Sequence, residues 1–298
     1  IKKNDTVILE STVYPGVTKI FGEKIQRFTN LKMNKDFFLC YSPERINPGD
    51  HTKKLNNINK IFSTETNNKK KINEIKSIYK LISKNIIFSN KIAESETAKV
   101  IENIQRDLNI AFYNEVLMVC DKLKLNFNEV IKLASSKWNF LKFNPGLVGG
   151  HCLPVDPYYL SYISSKNKLK LKTTLAGRET NNYMEKFVLN KFNDHLISNN
   201  LNKNIKILIV GITYKYGVSD MRNSINYKIF KKIKKNYPQT MIYDPFVKLE
   251  HNLTNLKKLN QIDVFLFLTM GPKFQKIFSK LRSDQKRIID PFNYYINK

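Results

Sequence analysis

A chain of 298 residues, 42% of them hydrophobic, has material for two or three domains with sizeable cores, and no apolar run nears the ~20 residues of a membrane helix. Lys and Arg total 51 against 25 acidic residues, a formal net charge of +26. The basic residues are scattered rather than banded and form no aromatic-interleaved platform, so the charge reads as residue bias and not as nucleic-acid binding, although a general positive field favours small anionic substrates.

From residue 5 to about 90, β-rich runs alternate with helical ones. DTVILEST and FFLCYS read as buried strands and NIIFS as a third, with amphipathic helices over TKIFGEKIQRF and NNKKKINEIKSIYKLIS. The alternation predicts part of an α/β unit with a parallel sheet. Three strands are few for a doubly wound domain, and IKKNDTVILE lacks an initiator Met, so the chain is expected to begin inside a domain. Residues 93–134 contain no Pro or Gly and predict continuous helix, with one apolar stripe at 98, 101, 104, 108 and 111–112. Lys99, Asn103 and Arg106, at i, i+4 and i+7, share a second face with no acidic residue to oppose them. That row is either a solvated face or a ligand-facing one.

Residues 146–159 read GLVGGHCLPVDPYY. Cys40 in FFLCYS and Cys120 in an apolar helical stretch read as core fillers, whereas Cys152 stands in a Gly- and Pro-rich loop whose backbone needs special conformations. No CxxC pair occurs and there are only four histidines, so no metal site is predicted and the thiols point to a reducing, cytoplasmic setting. A helix follows from about 174 to 198. Residues 203–298 predict a second α/β domain: KILIVG is a strand ending at Gly211, NYKIFKKIKKNY a helix, and TMIYDP, VFLFLT and RIIDP further strands. No GxGxxG occurs, so the pattern alone names no ligand.

ESTVYPG (10–16), YSPERINPGD (41–50), AKVIENIQRDLNIAFYNE (98–115), the cysteine loop and VGITYKYGVSDMRNS (210–224) together resemble the UDP-glucose/GDP-mannose dehydrogenase family. KWNFLKFNPGLVGGHC and VIENIQRDLNIA are most similar to its UDP-N-acetylhexosamine 6-dehydrogenase branch, which serves polysaccharide biosynthesis. The resemblance implies an α/β fold in three parts. Residues 1–92 would be the C-terminal part of a Rossmann-like NAD-binding domain without its glycine-rich half, 93–202 a helical dimerisation and catalytic region, and 203–298 a Rossmann-like UDP-binding domain. It further implies a cytoplasmic homodimer that oxidises C6 of a UDP-sugar to the carboxylate with two NAD, and a fragment that by itself binds NAD poorly.

In that resemblance Cys152 is the nucleophile that holds the aldehyde as a thiohemiacetal and then a thioester. A glycine-flanked loop suits an accessible sulfur, and a neighbouring ammonium would lower its pKa. Lys99 and Asn103 match the pair beside C6 that stabilises the developing oxyanion. Asp156 matches an aspartate that helps deprotonate the alcohol through water, and Glu44 the glutamate that activates water for hydrolysis. Arg45, Ile46, Arg106, Gly149, Tyr214 and Lys215 match substrate-binding positions, and Thr12 and Arg222 cofactor-binding ones. His151 reads as structural or substrate-contacting. Two positions depart from the family: Pro48 stands where the UDP-glucose branch has a second glutamate, and Phe292 where many members have a UDP-contacting arginine.

Overall fold

A computed structural model describes residues 1–46, 49, 55–253, 256–281 and 284–295; Pro48 lies outside them. The chain forms two compact units, Ile1–Gln105 with Val155–Thr174, and Arg106–Pro154 with Leu175–Lys298.

In the first unit the chain runs β1 (Thr6–Leu9), α1 (Val17–Thr29), β2 (Phe38–Tyr41), β3 (Lys60–Ser63), α2 (Lys69–Lys80), β4 (Ile86–Ser89) and into α3 (Ile92–Lys122). The sheet order is β1-β2-β3-β4. Parallel pairs β1–β2 and β3–β4 meet at an antiparallel seam whose one registered pair is Tyr41 with Ser63. Hydroxyls reinforce that seam: Ser42 Oγ donates to Ile61 O at 2.6 Å and Thr64 Oγ1 to Leu39 O at 2.6 Å. The unit therefore has four strands rather than the three predicted, and a mixed sheet. β3 escapes sequence reading because KIFS is four residues long and sits in a Lys- and Asn-rich context. All of β2 is buried, with Cys40 packed against Phe62, Ile75 and Tyr79.

Helices α4 (Phe127–Ala134), α5 (Asp156–Lys166) and α6 (Lys172–Ser198) follow; α5 falls in the first unit and α4 in the second, while α3 and α6 have residues in both. The predicted helix over 93–134 is interrupted after Lys122. Lys124 takes φ 55°, Leu125 N–H donates to Cys120 O at 2.8 Å, and Asn126 opens α4 by accepting from the N–H groups of Asn128 and Glu129. A side-chain cap thus ends and restarts the helix without Gly or Pro. The apolar stripe is also corrected: Val100, Ile104, Asp107, Ala111, Asn114 and Leu117 form the buried face, whereas Ile101 and Phe112 are 48% and 54% exposed. Lys99, Asn103 and Arg106 flank the buried face, about 100° around the helix.

The second unit continues with β5 (Ile207–Val210), α7 (Ile225–Asn236), β6 (Met241–Tyr243), β7 (Val264–Phe267), α8 (Pro272–Leu281) and β8 (Ile288–Ile289). All four strands are parallel in the order β6-β5-β7-β8, and β5 and β7 are wholly buried, as continuous apolar runs require. The chain leaves β5 first toward β6 and later returns to the other side as β7, so the carboxyl ends of β5 and β7 form a topological switch point, the usual place for a ligand in such sheets. Gly211 makes the exit from β5 with φ 81°, where an added Cβ would lie 2.6 Å from Thr269 Cβ. The loop beyond it is fastened by Asp244, which accepts from the N–H groups of Ile212 and Thr213 at 3.1 and 3.3 Å. Ser224 donates to Ile212 O at 2.6 Å and caps α7. Phe292 is buried in this unit's core.

Candidate active site

Tyr214, Lys215 and Arg222 lie on the 211–224 loop, at the carboxyl end of β5. The cysteine loop packs on it. Gly150, at φ 87°, donates its N–H to Asn223 O at 3.3 Å. A Cβ on Gly149 would lie 2.7 Å from Asn223 O and 3.1 Å from Tyr214 Cβ, and one on Gly150 3.2 Å from the Tyr214 ring. The two glycines therefore admit the neighbouring protein loop. Cys152 follows at once and is exposed, while Cys40 and Cys120 are buried.

The electrostatics around Cys152 are polar and mixed. Arg222 donates through Nε at 3.0 Å and Nη2 at 2.8 Å to Asp220, whose carboxyl it pulls down to about 2. His151 Nδ1 stands 4.0 Å from the same carboxylate. Burial raises the pKa of the Tyr214 hydroxyl, with smaller contributions from Asp220 and Cys152. The Lys215 carbonyl accepts from Thr213 Oγ1 at 2.8 Å, and Arg106 is exposed on α3.

In the first unit, Asn103 Nδ2 donates to Asp156 Oδ2 at 2.6 Å. Asp156, 3% exposed, is the first residue of α5. Burial raises its carboxyl pKa, opposed first by the Asn103 hydrogen bond and then by the charge of Lys99. A carboxylate tuned upward by burial and bonded to an amide can take and return protons nearer neutrality than a surface aspartate. Arg45 donates through Nη2 to Glu102 Oε1 at 2.7 Å and through Nη1 to Asn59 O at 3.1 Å. Glu44 is exposed and accepts from Ile46 N–H at 2.6 Å, and the Ile46 side chain is exposed.

Thr12 is half-buried in the loop between β1 and α1. The start of α1 is filled by Glu96, which accepts from Gly16 N–H at 2.5 Å, Thr18 N–H at 2.8 Å and Thr18 Oγ1 at 2.6 Å. Glu96 therefore occupies backbone N–H groups in the first turn of α1 that could otherwise cradle an anion. Among the described residues no group of three His, Cys, Asp or Glu side chains could hold a metal ion.

Cys152, Gly149, Tyr214, Lys215, Arg106 and Arg222 thus belong to the second unit, and Thr12, Glu44, Arg45, Ile46, Lys99, Asn103 and Asp156 to the first. Sequence reading gave no notice of the residues that hold them: Glu102 on Arg45, Asp220 on Arg222, and Glu96 on the loop that carries Thr12. Their partners lie two to 80 residues away, and nothing local marks Glu96 or Glu102; only Asp220 sits within the motif already singled out.

Three profiles of one family match this chain. The UDP-glucose/GDP-mannose dehydrogenase family NAD binding domain matches residues 1–83, its central domain 93–183, and its UDP binding domain 208–297. A UDP-N-acetyl-D-glucosamine 6-dehydrogenase from Salmonella typhi is 40% identical over 253 residues, and one from Pseudomonas aeruginosa 38%. Each alignment covers 84% of this chain, which spans only 59% and 60% of the two relatives. A UDP-D-ManNAc dehydrogenase structure from Pyrococcus horikoshii superposes with a TM-score of 0.83 at 29% identity, covering 97% of this chain and 68% of that one. The UDP-N-acetyl-mannosamine dehydrogenase Cap5O from Staphylococcus aureus gives 0.81 at 28%, covering 100% and 71%.

Proposed function

Because the chain belongs to the UDP-glucose/GDP-mannose dehydrogenase family, we propose that it serves as an NAD-dependent UDP-N-acetylhexosamine 6-dehydrogenase in polysaccharide biosynthesis. The observation that carries this reading is an exposed Cys152 seated on the 211–224 loop at the switch point of a sheet matching the family's UDP-binding domain. The 40% and 38% identical relatives named for UDP-N-acetyl-D-glucosamine favour that sugar. The solved UDP-N-acetylmannosamine enzymes keep the 2-epimer as a second reading, which a substrate panel resolves. In the same proposal residues 1–92, 93–202 and 203–298 act as NAD-binding, central and UDP-binding parts.

Thr12 and Arg222 would each contribute to holding NAD, which when bound would supply the hydride acceptor for both oxidations at C6. In the first, Asp156 takes up the alcohol proton through water, Asn103 holds its carboxylate, and an aldehyde forms. The Cys152 sulfur then adds to the aldehyde carbon, and Lys99 and Asn103 stabilise the oxygen that gains charge. Loss of the second hydride converts the thiohemiacetal to a thioester. Water activated by Glu44 cleaves the C–S bond, yielding the carboxylate and regenerating the thiol. Arg45, Ile46, Arg106, Gly149, Tyr214 and Lys215 hold the UDP-sugar.

The exposed Ile101, Phe112 and Val119 along α3 support a homodimer, which light scattering tests, and the use of NAD with a nucleotide sugar favours the cytoplasm. No described helix is long and apolar enough to cross a membrane. With UDP-N-acetylglucosamine the full-length protein should form about two NADH per sugar and the uronic acid. Cys152→Ala should form no acid, and normal acid production by that variant would sink the assignment.

A further inference from the structure

The segment from Leu141 to Gly149 has no helix or strand, so its backbone polar groups must find partners outside a regular ladder. Side chains supply them. Tyr113 OH donates to Leu141 O at 2.7 Å and Tyr294 OH to Pro145 O at 2.8 Å. Asn114, wholly buried on α3, grips Gly146 from both sides: its Oδ1 accepts from Gly146 N–H at 2.8 Å and its Nδ2 donates to Gly146 O at 3.0 Å. The same Nδ2 donates to Asn181 Oδ1 at 2.9 Å. Asn181 in turn donates to Asp107 Oδ1 at 2.7 Å and Asp107 O at 2.9 Å. Arg178 closes the set with Nη1 on Asp107 Oδ1 at 2.6 Å.

This network is buried throughout, with Asp107, Asn114, Arg178 and Asn181 between 0% and 4% exposed. It fixes which way the Asn114 amide faces, because Asn181 presents an acceptor and so demands the nitrogen on that side. A Cβ on Gly146 would lie 2.5 Å from Tyr294 Oη, so this point of the loop is also pinned sterically. Six residues on stands Cys152. Between the grip at Gly146 and the Gly150 bond to Asn223, the loop has only three residues in which to adjust.

We propose that Asn114 is a positioning residue for Cys152: it sets the register of the cysteine loop at Gly146, and the Asp107–Arg178–Asn181 set holds Asn114 in the orientation that does so. The effect on chemistry rests on the reading of Cys152 as the reacting thiol; the hold on the loop does not. A loosened loop lets the first oxidation proceed and misplaces the sulfur for the second.

Two measurements separate these parts. Hydrogen exchange followed by mass spectrometry reads the 146–152 peptide without substrate. Asn114→Ala removes three hydrogen bonds of a buried amide and should speed exchange there about tenfold to a hundredfold while β5 and β7 stay protected. Asn114→Asp, which can both donate and accept at Gly146 when protonated, should regain protection as pH falls. Turnover then reads the thiol. In the full-length protein Asn114→Ala should release aldehyde, lowering the yield from about two NADH per sugar toward one. Unchanged exchange over 146–152, or equal loosening of β5 and β7, overturns the proposal, as does a yield that stays at two NADH. If Cys152→Ala still forms acid, the reading of the thiol fails while the exchange result stands apart.

Discussion

Replacing Arg178 by Met tests how much the buried polar set holds up the second unit. Asp107 and Arg178 are 0% and 3% exposed, and the guanidinium also donates through Nη2 to Asn182 Oδ1 at 2.6 Å. Without it the Asp107 carboxylate keeps the Asn181 amide at 2.7 Å as its side-chain donor and has no counter-charge in the pair. Orphaning a buried charge in this way costs about 3–5 kcal/mol at neutral pH. In the native protein burial already raises the Asp107 pKa, with Arg178 opposing, so the variant's carboxyl must titrate higher still. A carboxyl whose folded pKa is raised contributes stability that is present below its unfolded pKa and lost as pH rises through the folded value. The deficit should therefore shrink between pH 7 and 5, by at most ~1.4 kcal/mol per pH unit. Native-state hydrogen exchange of the β5 and β7 amides is the assay, and about two to four orders of magnitude of protection should disappear at pH 7. Adding Asp107→Asn should return most of it. A loss below about tenfold, or one equal at both pH values, refutes the argument.

Asn103→Ala should raise the Asp156 pKa further, because it removes the 2.6 Å donor that favours the ionised form; carbon-13 NMR of the carboxyl reads the shift, and Lys99→Met should move it the same way. Arg222→Ala should return Asp220 from about 2 toward the ordinary 3.8. Since that pKa is depressed, the pair's small contribution is present above 3.8 and lost as pH falls toward 2, and a flat acid titration of Asp220 between the variants would contradict the contact. Gly211→Ala combines φ 81° with a 2.6 Å clash on Thr269 and should cost about 1–3 kcal/mol, seen as a melting transition of the second unit lowered by several degrees.

The readable parts of the chain are those whose signals are local. KILIVG, VFLFLT and the helix over 172–198 carry their periodicity within themselves, and Cys152 announces itself through its Gly and Pro neighbours. Lys99, Asn103 and Arg106 share a helical row visible from spacing alone. The unread parts have other causes. α5 begins inside the motif at Asp156, so its first turn is hidden by Pro and Asp that read as a turn. α8 and β3 are short, and the break at 123–126 depends on one Asn cap. Asn114 meets Gly146 across 32 residues and Arg178 meets Asp107 across 71; in sequence each is an ordinary polar residue on a helix. In sequence Gly149 is a match to a substrate-binding position, and only the fold brings Asn223 O and Tyr214 Cβ up to it.

Among the described residues β1 stands at the rim of the first sheet and pairs there with β2. Its four residues, TVIL, are half-buried, β-favouring and uncharged, with neither Lys nor Pro to discourage a further strand. An edge of this kind is a template: it accepts extended backbone of almost any sequence, and it does so more readily as protein concentration rises. Beside β1, then, lies a line of backbone donors and acceptors on which a further extended segment could extend the sheet beyond its four described strands.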